Sequence, residues 1–272
     1  MSGRHWIDPG ELDELARIDS PVHRLDPRAK ILVTALYILV VMSVSPDRIA
    51  ALMPFVLFPS LGFGIAGIPV TPIVRRLAIA LPFAAMIGAL NLVVDREIVL
   101  SVCGIGLTGG VISFASILIR AVLTVSAALL LVSVTGTHRI GAGLAVMGVP
   151  GIFVTQVLFL VRYLFVISDE AVSMRRAVDL RSAGYHPGRS RGLPLRLFGS
   201  LMGSLLVRSL DRAVRVHRAM RARGFTGDVR YAGILRFRSM DWVFLGSCAA
   251  VLIALRWADP TQWLGGVIAG VR

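Results

Sequence analysis

The sequence predicts an all-α polytopic membrane protein with about five transmembrane helices and a cytoplasmic module of long amphipathic helices. Three observations predict this class. The mean hydropathy is +0.76 and 56% of the residues are hydrophobic, more than soluble domains usually carry. The apolar residues form blocks near the roughly 20 residues that a helix needs to cross a bilayer. Nearly all of the net charge of +13 falls between residues 136 and 240.

The first apolar block, Ile31 to Val44, follows a polar segment over residues 1–30. Asp26-Pro27 before it has the pattern of a helix N-cap followed by proline at the first helical position. The second block, Ile49 to Ile68, contains two prolines and three glycines. Membrane helices tolerate these residues, so we expect a kinked second helix.

Two further blocks complete a four-helix transmembrane region over residues 31–135. Arg75-Arg76 predicts a short polar turn before the third block, Leu77 to Val94, and the fourth runs from Val111 to Thr135. The last block, Trp242 to Trp257, has tryptophan at both ends, as is typical of the membrane interface. Residues 241–272 therefore read as a final transmembrane helix and a short tail.

Arg120 is the single charge inside the fourth block. An ionisable residue within a span is expensive and often functional, and Asn91 of the third block is a candidate polar neighbour. Alternatively, the helix begins near Gly109 and Arg120 is shallow enough for its side chain to reach the interface. Both interpretations stay open at this point.

Residues 136–240 carry 17 arginines against five acidic residues. Positive charge accumulates on the cytoplasmic side of membrane proteins, so this module should be cytoplasmic. The N-terminal segment with Arg24, Arg28 and Lys30 and the Arg75-Arg76 turn should lie on the same side. Four spans return a cytoplasmic N-terminus to the cytoplasm, and the last block then carries the C-terminus out.

Two long helices are predicted within this module. Gly151 to Arg181 reads as one helix of roughly 45 Å, apolar in its first half and charged in its second. Whether residues 151–170 cross the membrane or lie along it stays open, and a crossing would change the count of spans. The second helix, about Leu201 to Arg223, has an apolar face opposite a basic one. The apolar face holds Met202, Leu206, Leu210, Ala213, Val214 and Met220, and the basic face holds Arg208, Arg212, Arg215 and Arg223.

The basic face is suited to anionic lipid headgroups. Nucleic acid is not expected as a partner of a chain with several spans and no aromatic residues among the basic ones.

A short repeat spaced by 42 residues marks the ends of both helices, at residues 176–182 and 218–224. Each copy is followed by glycine and an aromatic residue, Gly184-Tyr185 and Gly224-Phe225. The glycines predict helix C-caps, which place Arg181 and Arg223 in the last turns. One interpretation is that each arginine complements the helix dipole. The other is that a planar five-donor cation docks into an acidic or carbonyl-lined groove of a partner.

The sequence offers little for catalysis or metal binding. Lys30 is the only lysine, and no glycine precedes it in the pattern of a phosphate-binding loop. The sequence therefore has no Gly-x-x-x-x-Gly-Lys-Ser/Thr motif. The five histidines are dispersed without metal-ligand spacing. Asp169 and Glu170 are adjacent and point about 100° apart on a helix, a poor arrangement for paired acid–base work. We therefore expect no catalytic residues, no cofactor and no metal site on this chain.

The chain resembles the transmembrane T component of energy-coupling factor (ECF) transporters, specifically the CbiQ family of cobalt uptake. Residues 20–30, Ser-Pro-Val-His-Arg-Leu-Asp-Pro-Arg-Ala-Lys, are similar to the segment before that family's first span. The motifs Leu180-Arg181-Ser182 and Ala222-Arg223-Gly224 resemble its paired Ala-Arg-Gly signatures, the first keeping only the central arginine. The order of the spans and cytoplasmic helices also matches over essentially the whole chain.

The resemblance implies a non-catalytic scaffold in the inner membrane of a prokaryote. Its coupling helices, 136–240, would sit in grooves of two ATP-binding cassette ATPases and transmit their closure to a small substrate-binding membrane subunit similar to CbiM. Cobalt is the expected cargo, with nickel or an organic molecule left open. Two other classes stay open as alternatives: a membrane-embedded enzyme, and a stand-alone channel or secondary transporter using Arg120 and Asn91.

Overall fold

The structure is a computed structural model that describes residues 15–16, 18, 20–45, 49–94, 98–102, 105–181, 195–225 and 237–258. Five of the described helical stretches are long and apolar enough to cross a membrane. They are Ile49–Ala66, Val70–Leu92, Gly109–Thr135, Gly151–Arg181 and Ser239–Trp257. The predicted class, an all-α polytopic membrane protein, is confirmed.

Helix α1 spans Pro27–Ser43 and begins as the sequence predicts. The Asp26 side chain accepts a hydrogen bond from the backbone N–H of Arg28 at 2.9 Å, and Pro27 occupies the first helical position. The helix is apolar on nearly every side, and Leu39 and Met42 are exposed, which suits a helix that contacts lipid as well as protein. Its largest side chain, Tyr37, is fully buried and donates from Oη to the Phe55 carbonyl at 2.9 Å.

The second apolar block forms two helical pieces rather than one kinked α-helix. A 3-10 helix covers Ile49–Val56 and holds Pro54, and α2 follows over Leu57–Ala66. Proline has no N–H to donate within a helix, which suits the change of helix type here. Gly67, at φ 66°, ends α2 in the left-handed conformation that glycine adopts most easily.

Helix α3 spans Val70–Val94 and begins seven residues before the predicted start. The prediction of a polar turn at Arg75-Arg76 is therefore wrong, because both arginines lie inside this helix. Arginine has a high helix propensity, and its long side chain can carry the charge away from an apolar helix. Two adjacent charged residues therefore do not end the helix here.

A short antiparallel hairpin, which the sequence analysis missed, joins α3 to α4. Its strands are β1, Ile98–Val102, and β2, Ile105–Thr108, with Val102 paired to Ile105. Helix α4 then covers Gly109–Thr135. It packs against α1, α2 and α3 and is the central helix of its unit. Gly136, at φ 74°, separates α4 from the short helix α5, Thr137–Val146.

Three helices complete the described chain. Helix α6 spans Gly151–Arg181, the bounds that the sequence predicts, and α7 spans Leu195–Ala222, starting six residues before the predicted Leu201. Helix α8 spans Ser239–Ala258 and packs against α1. The chain divides into two compact units: a membrane unit, Met1–Gly143 with Ile234–Arg272, and a second unit, Leu144–Gly233, that contains α6 and α7.

Candidate functional site

The end of α7 has the glycine cap that the sequence predicts. Gly224 has φ 81°, and its N–H donates to the Arg221 carbonyl at 3.0 Å. The N–H of Phe225 donates to the Met220 carbonyl, also at 3.0 Å. These two bonds form a Schellman motif, which satisfies the last carbonyls of the helix through its own backbone. The neighbouring arginine is not needed for capping.

Arg223 lies in this cap and is exposed, as are Ala222 and Gly224 on either side. The structure therefore presents the second motif, Ala222-Arg223-Gly224, at the surface of its unit. In the described part of the chain, the Arg223 guanidinium forms no ion pair. A guanidinium with five free donors suits carboxylate or carbonyl acceptors of another molecule.

The first motif lies at the end of α6. Arg181 is the last residue of that helix and is exposed, and Leu180 is 78% exposed. Ser182 and the predicted cap Gly184-Tyr185 lie outside the described residues. Over the residues that can be described, both motifs place an arginine at an exposed helix end. The structure does not turn either one inward.

An ion-pair cluster that the sequence analysis did not find joins α6 to α7. Arg208 donates from Nη1 to Glu170 Oε1 at 2.8 Å, and Arg212 donates from Nη2 to Glu170 Oε2 at 3.3 Å. The prediction placed Arg208 and Arg212 on a solvated or lipid-facing surface, but both hold one carboxylate of the neighbouring helix. Two arginines on one carboxylate fix the crossing of the helices better than a single exposed pair does.

Beside this cluster, α6 and α7 enclose an apolar cleft of about 540 Å³. Phe159, Tyr163 and Ile167 line it from α6, and Leu210, Ala213 and Met220 line it from α7. Much of the apolar face of α7 is exposed, including Leu206 and Val214. Exposed apolar surface of this kind marks contact with lipid or with another protein.

Arg120 lies in α4 and donates from Nη2 to the Val44 carbonyl at 2.7 Å, at the end of α1. The helix begins at Gly109, as one of the two interpretations requires. Asn91 is half-buried on α3. A backbone carbonyl at a helix end is a partner for Arg120 that the sequence analysis did not consider.

Metal ligands are not clustered in the described segments: among these residues no group of three or more histidine, cysteine, aspartate or glutamate side chains could hold a metal ion.

The family described as "CbiQ: Cobalt transport protein" matches residues 19–232, well over half of the chain. The match includes the segment before α1 and both arginine motifs. No curated protein matches the sequence.

Proposed function

The chain belongs to the CbiQ family of cobalt transport proteins, and from this premise we propose that it is the coupling subunit of an ATP-driven importer. It is a component of a membrane transporter, and in the proposal it takes up motion from two ATP-binding cassette ATPases. It passes that motion to a small substrate-binding membrane subunit similar to CbiM, with cobalt as the cargo. The observation that carries the proposal is the pair of exposed arginine-bearing helix ends, Arg181 and Arg223.

The two helix ends suit docking into another protein. The α7 cap satisfies its own carbonyls, so Arg223 is available to a groove that offers acidic or carbonyl acceptors. Arg181 is the last residue of α6, the other long helix of the unit, and is also exposed. One helix end would enter each ATPase, so closure of the two ATPases would draw the ends together.

The Glu170 cluster supports the transmission of motion between α6 and α7. Because Arg208 and Arg212 both bind Glu170, movement of one helix is resisted by the other. The exposed apolar surface of the cleft and of α7 then suits an apolar partner in or at the membrane. In the proposal this partner is the substrate-binding subunit, which tilts or shifts as the two helices move.

ATP hydrolysis is assigned to the partners. The sequence has no Gly-x-x-x-x-Gly-Lys loop, and its only lysine, Lys30, is buried against the His23 carbonyl. A lysine in this position cannot hold a nucleotide phosphate. The proposal therefore describes a non-catalytic subunit.

The second unit is proposed to face the cytoplasm, where the ATPases lie. Its arginines account for most of the 17 found between residues 136 and 240, and such an excess stays on the cytoplasmic side. The N-terminal segment with Arg24, Arg28 and Lys30 is proposed to lie on the same side, in the inner membrane of a prokaryote.

The test replaces Arg181 and Arg223 by alanine, singly and together, in cells that express the whole transporter. Loss of a charged group from a desolvated interface costs about 2 to 5 kcal/mol, so each single variant should weaken ATPase binding by at least tenfold. The double variant should lose ATPase co-purification and cobalt uptake together. Arg215→Ala is the matched control, because Arg215 is exposed on α7 but lies two turns before its end.

Full ATPase binding and uptake in the double variant would contradict the docking role. Two other results would favour the alternatives. Turnover of a substrate by the purified chain alone would indicate an enzyme, and cobalt uptake without any ATPase would indicate a channel or secondary transporter.

A further inference from the structure

Residues 20–30, which lead into α1 and include its first four residues, bury polar groups that a chain near a membrane surface would usually expose. Ser20, His23, Asp26 and Lys30 are each less than 10% exposed. Charged side chains rarely stay buried unless they are paired or hydrogen-bonded. Their partners here come from the end of α4, from α5 and from the start of α8. We call residues 20–30 together with Arg139 and Asp241 the N-terminal clamp.

The side chain of Arg139, on α5, binds backbone carbonyls of this segment. It donates from Nη1 to the His23 carbonyl at 2.9 Å and from Nη2 to the Leu25 carbonyl at 3.4 Å. Lys30 donates to the same His23 carbonyl at 3.3 Å and to the Val134 carbonyl, near the end of α4, at 3.4 Å. Two basic side chains thus meet at one carbonyl, and the bonds of the exposed Arg139 guanidinium are charge-assisted, which makes them stronger than neutral hydrogen bonds.

The packing of α5 on α1 is correspondingly close. A Cβ atom at Gly143 would lie 3.3 Å from Pro27 Cβ and 3.2 Å from Ile31 Cδ1. Contacts at this distance leave little room for a side chain. Glycine at this position therefore lets α5 lie directly against the first turns of α1.

Asp241 attaches the start of α8 to the same segment. Its Oδ1 accepts from the backbone N–H of Asp26 at 2.8 Å, and its Oδ2 accepts from the N–H of Arg238 at 2.7 Å. The side chain is 3% exposed. One carboxylate therefore closes the first turn of α8 and binds the residue that caps α1.

Arg139 and Asp241 lie close in sequence to the two places where the chain passes between its units. The second unit begins at Leu144, just after Arg139, and ends at Gly233, shortly before Asp241. Both residues bind one short segment at the start of α1. In chain order, Arg139 stands between α4 and the second unit, and Asp241 stands between the second unit and the rest of α8.

We propose that the N-terminal clamp holds both chain connections of the second unit to the membrane unit during transport, with Arg139 and Asp241 as positioning residues. The inference rests on the proposed coupling function. It adds the residues of the membrane unit that resist movement of the chain where it enters and leaves the second unit. Without the clamp, the ATPases would still bind and hydrolyse ATP. The movement of the ATPases would then displace the two chain connections without moving the membrane unit, and the cargo would not be transported.

The test uses the complete transporter in proteoliposomes and measures Co²⁺ taken up per ATP hydrolysed. Arg139→Ala and the isosteric Asp241→Asn are expected to keep ATPase binding but to lower this ratio on the order of tenfold, the effect of losing a hydrogen bond to a charged group. Arg139→Lys should recover part of the ratio, since it keeps the cation but cannot reach both carbonyls.

Arg256→Ala is the matched control. Arg256 also donates to a backbone carbonyl of α1, that of Ser43 at 3.1 Å, but at the opposite end of the helix. It should leave the uptake ratio unchanged even if it lowers the amount of folded protein.

Each result decides between the two proposals. An unchanged ratio in the clamp variants, or a failure of even Asp241→Asn to give an assembled complex, would overturn the clamp as a transport device. An equal fall in ratio for Arg256→Ala would do the same. Failure of the unmodified chain to bind an ATPase would instead overturn the coupling function itself.

Discussion

At the scale of single residues, the carbonyl end of α1 shows how arginine is used inside the membrane unit. Arg120 from α4 donates to the Val44 carbonyl, and Arg256 from α8 donates to the carbonyl and the hydroxyl of Ser43. The last carbonyls of a helix have no partner within it and carry partial negative charge. Two guanidinium groups therefore satisfy a helix end for which apolar surroundings would offer no donor.

This contact leads to a prediction for Arg120. Arg120→Ala leaves the Val44 carbonyl without its donor, which should lower stability by about 1 to 3 kcal/mol. The melting temperature of the purified chain in detergent should fall accordingly, by about 2–4 °C for each kcal/mol. Uptake per assembled transporter should be retained, and Asn91→Ala should change neither quantity. Loss of uptake at an unchanged melting temperature in both variants would instead support a substrate path through Arg120 and Asn91.

His23 is the residue for which pH should matter. It is 4% exposed, and Ser20 Oγ lies 2.6 Å from its Nδ1. Burial, followed by the positive charge of Lys30, holds the pKa of His23 below its ordinary value of 6.5. The unfolded chain therefore takes up a proton at a pH where the folded chain does not. Stability should fall as the pH drops from 6.5 towards the pKa of the folded state and then level off.

The measurement is the melting temperature between pH 7.5 and pH 5.5 for the unmodified chain and for His23→Gln. The slope, not the absolute value, is the test, because the substitution also changes the contact with Ser20. We expect the unmodified chain to lose more stability on acidification than the variant. Parallel curves would show that His23 does not cause the pH dependence.

At the scale of elements, two glycines set how closely helices approach α4. A Cβ atom at Gly62 of α2 would collide with the side chain of Leu130, and one at Gly88 of α3 would lie 2.8 Å from Phe114 Cδ2. Small residues at such positions are typical of membrane helices, since packing rather than hydrophobic burial holds them together. Gly64, on the same helix as Gly62, has open space around it.

A matched pair of substitutions tests this packing. Gly62→Leu overfills the contact with α4 and should lower stability by about 1 to 3 kcal/mol. Gly64→Leu places the same side chain in open space and should have little effect, or raise stability slightly through helix propensity. Thermal unfolding of both variants in one detergent makes the comparison. Equal losses would show that helix propensity or solubility, rather than contact with Leu130, controls the outcome.

At the scale of the whole molecule, the side of the membrane on which the C-terminus lies depends on α6. Its length and its apolar first turns would let it cross, but it also carries Arg162, Arg175, Arg176 and Arg181. From a cytoplasmic start, a crossing would place these arginines outside, against the usual charge bias. We therefore expect α6 to stay on the cytoplasmic side and the C-terminus to lie outside.

Fusions to the C-terminus test this arrangement. Alkaline phosphatase, which is active only outside the cytoplasm, should be active there, and a green fluorescent protein fusion should be dark. Fusions to the N-terminus should show the opposite pattern. A fluorescent C-terminal fusion would contradict the expectation and indicate that α6 crosses the membrane.

Local signals account for what could be predicted. The Asp26 N-cap, the bounds Gly151–Arg181 and the Gly224 cap each depend on residues within a few positions of one another, and backbone geometry acts at that range. The wrong prediction at Arg75-Arg76 also relied on a local signal, two adjacent charged residues. Charged residues mark a turn in a soluble context, but a helix can continue through them when their side chains find partners or reach the interface.

The sequence by itself determined the membrane class, the order of the long helices and the two arginines at the helix ends, because hydropathy, charge and caps are properties of neighbouring residues, and its motifs indicated the family. Only the tertiary structure decided which distant groups meet. Examples are Glu170 with Arg208 and Arg212 across two helices, and Asp26 with Asp241, 215 positions apart. A side chain's partner depends on how helices cross, and that geometry follows from the packing of the whole chain.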